Sequence, residues 1–202
     1  MVTMYNLVRI VLSLAISALI VFLIIKLKRN IKNKKALTAF AVINVFIICF
    51  VLSHIPFENA FITFSDINKA FGYVTTQNNI VEIVGANDFD AVISYDRENN
   101  LSAHLFRKTE NGYKLGTQGL SANKIIWCNG NSILLCSDKK SAQSLIIVTP
   151  MSDKAAVSDS VGTTFSSFEG VNKKNIYYAV VDKNIYEYQV AINDEAFSVK
   201  TQ

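Results

Sequence analysis

The first 55 residues contain two apolar spans joined by a loop whose only charges are positive. Leu7 to Leu27 reads as one membrane-spanning helix and Ala36 to Ile55 as a second. A bilayer core of about 30 Å takes about 20 apolar helical residues, and each span meets that length. Lys26, Lys28, Arg29, Lys32, Lys34 and Lys35 lie at the connection, with no acidic residue among them. Such a loop stays on the cytoplasmic side. The expected topology is therefore a hairpin (spans 7–27 and 36–55, cytoplasmic loop 28–35) with both termini and residues 56–202 outside the cytoplasm.

The flanks argue against a cleaved signal peptide. The segment before the first span is weakly charged, and lysines rather than a small-residue cleavage site follow it. Arg9, the single charge in the first span, sits near its outer end, where a long basic side chain is expected to snorkel to the interface. Ser13 and Ser17 form a small-xxx-small pair suited to close helix packing. Asn44 is the one amide of the second span, at a depth similar to Ser17, and a hydrogen bond between these two is expected. These three residues read as packing contacts. A transport path would need ionisable groups at the midplane, and neither span has one there.

The formal charge of +4 follows from topology. Seven of the 20 basic residues precede Pro56 and all 16 acidic residues follow it. The outer part thus has 13 basic and 16 acidic residues, a net of −3. Nucleic-acid binding would need a clustered positive surface, so no nucleic-acid partner is expected. The lipid bilayer is, and so is a membrane or envelope protein.

Ser65 and Asp66 offer an N-cap to a short helix over 66–75. Ile67, Ala70, Phe71 and Val74 give it one apolar stripe. From Asn79 onward the period changes to strands. Three four-strand runs are expected: 80–84, 89–96, 101–108 and 113–118; then 124–128, 132–138, 144–150 and 155–160; then 163–168, 175–182, 185–192 and 196–201. The second strand of each run ends in aspartate (Asp96, Asp138, Asp182), and each carboxylate could cap the following turn. The fold class is thus a membrane-anchored, mainly β protein. A transmembrane hairpin precedes a short helix and an antiparallel meander domain, propeller-like or sandwich. Both faces of 176–181 are apolar, which predicts a central strand.

No residue set points to catalysis. The two histidines, His54 and His104, lack nearby metal-ligand companions. Asp96 to Asn100 begins like a calcium loop, but it lacks the sixth-position glycine and has Arg107 where the closing glutamate belongs. Asp88 and Asp90 read as turn residues. No nucleophile elbow, phosphate loop or dinucleotide fingerprint is present, so no cofactor and no enzyme activity are expected. Cys128 and Cys136 flank Asn129-Gly130-Asn131. A two-residue turn would put them on opposite sheet faces, and a three-residue loop would hold them about 13 Å apart, beyond disulfide reach. Tyr177, Tyr178, Tyr186 and Tyr188 cluster near the C-terminus. They offer an aromatic surface for a partner, or else cross-strand packing.

The stretch Pro56-Phe57-Glu58-Asn59-Ala60-Phe61, continuing to Ala70-Phe71-Gly72-Tyr73, resembles small membrane-anchored proteins of Gram-positive bacteria with a β-rich outer domain. In these, a Pro-x-Glu-x-x-Phe segment precedes a helix ending in Ala-Phe-x-Tyr. The resemblance implies membrane anchoring and an outward β domain, and it brings no catalytic residue. The expected function is a membrane-anchored protein presenting an extracytoplasmic β domain for binding or assembly at the cell envelope. The alternative is an accessory subunit of a transporter or signalling complex, held through its transmembrane helices.

Overall fold

The computed structural model describes residues 3–27, 34–53, 55–76, 79–116, 123–171, 173–185 and 187–200. Lys28, Arg29 and Lys32 of the basic loop, His54 and Tyr186 lie outside these. The chain opens with two long helices, α1 (Met4–Leu27) and α2 (Lys34–Ser53). By length and composition both are apolar enough to cross a membrane. Large apolar side chains project outward from both, Phe22, Phe46 and Phe50 among them. Helices that are apolar on their outward faces match a lipid surrounding.

The helices pack antiparallel. Arg9 near the start of α1 meets Leu52 at the end of α2, and Ser17 meets Ala41. Ser13 and Ser17 are both buried in the seam. The Ser17 hydroxyl donates to the Ala41 carbonyl at 3.1 Å, and the Ser13 hydroxyl to the Arg9 carbonyl at 2.7 Å. The expected Asn44–Ser17 bond is not formed. The Asn44 amide donates instead to Phe40 O, one turn back on its own helix, at 2.8 Å. A serine is short enough to bring the facing backbone within reach, so its hydroxyl takes a carbonyl there. The longer amide satisfies itself locally.

A one-turn 3-10 helix (Phe57–Ala60) leads to α3 (Ile67–Val74). Asp66 is the N-cap, accepting from Lys69 N at 2.9 Å. Ile67, Ala70 and Phe71 are buried as the stripe predicts.

Among the described residues twelve strands follow: β1 (Asn79–Gly85), β2 (Phe89–Tyr95), β3 (Leu101–Thr109), β4 (Gly112–Leu115), β5 (Asn123–Cys128), β6 (Asn131–Ser137), β7 (Gln143–Thr149), β8 (Val157–Asp159), β9 (Ser166–Glu169), β10 (Asn175–Asp182), β11 (Gln189–Ile192) and β12 (Glu195–Ser198). The strand sequence is as expected, but the division into three four-strand sheets is not. The sheets have four, five and three strands, in the orders β1-β2-β3-β4, β5-β6-β7-β10-β9 and β12-β11-β8. β10 leaves the third run to pair with β7, Tyr178 opposite Ile147. β8 leaves the second run to pair with β11, Ala191 opposite Ser158. The reason lies in burial. β6, β7 and β10 are apolar on both faces and gain most by sitting side by side in a sheet covered on both sides.

The three sheets stack in chain order. Ala91, Ile93 and Leu105 of the first sheet pack on Leu134, Leu145 and Ile147 of the second. The opposite face of the second sheet, Ile133, Ile146 and Val181, packs on Tyr188, Val190 and Ile192 beside the third. The outer face of the first sheet, Val92, Phe106 and Leu115, is covered by α3. Adjacent residues of one strand therefore feed different cores, as the period of two requires.

Candidate functional site

Two places in the molecule are candidates for a functional site. The first is the junction of hairpin and β domain. Arg9 does not snorkel. It is 1% exposed and forms a buried ion pair with Glu58, itself 2% exposed. Its Nη1 donates to Glu58 Oε1 and its Nη2 to Oε2. The remaining donors reach Leu52 O (2.9 Å), Ile55 O (3.2 Å) and Tyr5 O (3.1 Å). Leu52 O lies in the last turn of α2, where a cation is favourable, and Ile55 O lies two residues beyond the helix. The Tyr5 ring lies 3.3 Å below the guanidinium, and that of Phe57 5.1 Å away.

Tyr73 of α3 closes the junction, its hydroxyl donating to Glu58 Oε1 at 3.2 Å. Burial, with the Glu58 charge, pushes its pKa up to about 12. Asn59 spends its amide on Leu115 N (2.8 Å) and Leu115 O (2.7 Å), so its side chain pairs with the end of β4. Phe64 exchanges two backbone hydrogen bonds with Tyr113. Gly112 must be glycine there: its φ is +127°, and a Cβ would stand 2.1 Å from Phe64 O. Glu58, Phe64 and Tyr73 thus belong to one clamp, which ties the helices to the first sheet.

The second place is a groove of about 510 Å³ between the first and second sheets. It opens at the end bearing the β2–β3, β5–β6 and β9–β10 turns, away from the Phe64–Tyr113 bridge. Tyr95, Leu101, Ile125, Trp127, Met151 and Val171 line it, with Lys174 at its edge. Trp127 is the single tryptophan of the chain and is 76% exposed; Ile125, Met151 and Val171 are exposed with it. The β5–β6 hairpin holds Trp127 in place through a two-residue turn, Asn129-Gly130, with both φ values positive. Lys174 Nζ donates to Met151 O at 2.8 Å, and the Tyr95 hydroxyl accepts from Val171 N at 3.4 Å, so the rim is pinned. The volume is that of a small-ligand or peptide-side-chain site, and its apolar wall is joined by the polar side chains of Asn99, Asn100, Ser132 and Thr149.

The tyrosines singled out in the sequence are divided between cores. Tyr177 packs toward the third sheet and donates to Ala155 O at 2.9 Å. Tyr178 packs toward the first sheet beside Phe168. Tyr188 is wholly buried, its hydroxyl donating to Asp159 at 2.7 Å. They share no hairpin, because β10 and β11 belong to different sheets. Trp127 is the aromatic that the sequence reading passed over. Its signal was there: a lone tryptophan two residues from Ile125, so both side chains fall on one face of a strand.

The aspartates also differ from one another. Asp96 caps its turn as expected, accepting from Glu98 N and Asn100 N, each at 2.8 Å. Asp138 is buried and pairs with Arg107 at 2.8 Å across the two sheets, while Asp182 accepts from Gln143 Nε2. Lys183 donates to the carbonyls of Asp138 and Ser141; burial lowers its pKa against the pull of Asp138 and Asp88. Asp88 accepts from Ser141 Oγ at 2.7 Å, and Asp90 pairs with Lys108 at 2.8 Å. The two therefore serve separate contacts. His104 lies edge-on to Phe71. Among the described residues no group of three His, Cys, Asp or Glu could hold a metal ion.

Cys128 and Cys136 are free thiols on opposite faces of the second sheet, as a two-residue turn dictates. No family model matches this chain, and neither does any curated protein or solved structure.

Proposed function

We propose that this protein is a membrane-anchored binding protein of the cell envelope, with no catalytic step of its own. The hairpin crosses the bilayer, the loop from Lys26 to Lys35 faces the cytoplasm, and the β domain and both termini face outward. The six cations of that loop, without a compensating acid, support this orientation. The observation that carries the binding reading is the groove: an exposed tryptophan with three exposed apolar neighbours around an open cavity. Apolar clusters of this kind on a folded surface mark contact sites. Tryptophan supplies much contact area at little entropic cost.

A photoreactive amino acid in place of Trp127, in full-length protein in living cells, tests this. A discrete crosslinked product is expected. The same substitution at Phe46, on the outward surface of α2, tests the accessory-subunit reading. Crosslinks from position 46 with none from 127 would move function into the helices.

Orientation has its own test. A membrane-impermeant maleimide applied to intact cells should label half-buried Cys128 and spare Cys136 until the protein unfolds. Burial raises the pKa of both thiols, most strongly that of fully buried Cys136. Labelling of Cys128 only after lysis would place the β domain in the cytoplasm.

A further inference from the structure

Leaving α2, the chain carries Phe61, 85% exposed and the most exposed large apolar side chain among the described residues. Ile55 and Ile62 are exposed close by in sequence, and Phe50 and Val51 project from the last turns of α2. A single exposed apolar residue is ordinary. This one is held at a particular height. Phe61 N and Ile62 N both donate to Glu58 O, at 2.9 and 2.7 Å. The Glu58 carboxylate is fixed on Arg9, which also holds Leu52 O and Ile55 O. The segment therefore cannot swing away from the end of the hairpin. At 1.5 Å per residue the 20 residues of α2 span about 30 Å, the thickness of a bilayer core. With α2 across that core, Ser53 stands at its boundary and residues 55–62 at headgroup level. Phe, Trp and Leu side chains of interfacial segments bury their apolar bodies at the boundary between headgroups and acyl chains.

We propose that Phe61, with Ile55 and Ile62, inserts at the boundary between acyl chains and headgroups of the outer leaflet. Its occupant is bilayer lipid. The contact continues the outward surface of the hairpin and, through the Arg9–Glu58 clamp, sets the height and tilt of the β domain above the membrane. This rests on the hairpin spanning the bilayer, and the experiment separates the two claims.

The full-length chain is reconstituted in phosphatidylcholine/phosphatidylglycerol vesicles whose acyl chains carry bromine near the headgroup or near the bilayer centre. Tryptophan emission is read for Phe61→Trp and Phe46→Trp, each combined with Trp127→Phe, and for the unsubstituted chain. Phe46 and Phe61 are both highly exposed, so neither change disturbs packing. The expected result is a blue-shifted Phe61→Trp signal quenched most by shallow bromine. Phe46→Trp should be quenched most by deep bromine, and native Trp127 by neither. Water-like, unquenched emission from Phe61→Trp alongside a quenched Phe46→Trp overturns the lipid contact and leaves the hairpin standing. No quenching of either overturns the membrane span and the contact with it. Quenching of native Trp127 would show the domain lying flat on the bilayer and would overturn the assignment to the Phe61 segment.

Discussion

Removing one partner of the Arg9–Glu58 pair, by Arg9→Met or by Glu58→Leu, is expected to destabilise the junction by about 3–5 kcal/mol. Each single change leaves the other charge buried with its partner gone, and both side chains are at most 2% exposed. Arg9→Met also removes one of the two donors on each of the Leu52 and Ile55 carbonyls, which keep only the backbone N–H of Ile55 and of Phe57. The double variant Arg9→Met/Glu58→Leu should recover much of the loss, because two apolar groups of similar volume avoid the desolvation of two ions. Hydrogen exchange of residues 58–74 in the reconstituted chain provides the measurement. The single variants should exchange far faster than wild type, with the double variant between them. Single variants within about 0.5 kcal/mol of wild type, the range of ordinary surface changes, would show that the clamp does not hold the domain.

The second large effect concerns Ile146 and Ile147. They are neighbours on β7, both fully buried, and they face different cores. Ile146→Ala and Ile147→Ala should each cost about 2–5 kcal/mol. On a sheet with one solvated face, one of the two changes would be nearly silent. Chemical unfolding of each variant, followed by far-ultraviolet circular dichroism, decides it. A silent member of the pair would mean that one neighbouring sheet does not cover β7, and the stacked arrangement would fail.

Several local features are legible in the sequence, although the burial of Arg9 is not. α3 was legible from Asp66 and the apolar stripe of Ile67, Ala70 and Phe71. The strands were legible from alternation and from turns such as Asn129-Gly130. The opposite faces taken by Cys128 and Cys136 follow from the two-residue turn, one of the two turn lengths the sequence allows. The expected Asn44–Ser17 bond failed because helix spacing gives depth but not which way a side chain turns. The tyrosine surface was not found because Tyr178 and Tyr188 are assigned to different sheets by pairings that composition does not reveal.

The sequence by itself determined the elements: two apolar helices around a basic loop, a short capped helix, and a succession of antiparallel strands. These depend on periodicity and turn chemistry, which act over a few residues. Only the tertiary structure decided who meets whom. It seated β10 beside β7, gave Arg9 a carboxylate 49 residues away, and left Trp127 outside both cores. A strand apolar on both faces demands cover on both sides without naming its neighbour, and a buried cation demands an anion without saying where in the chain it lies. Both demands are met in three dimensions, by the packing that buries the most apolar surface while leaving no charge alone.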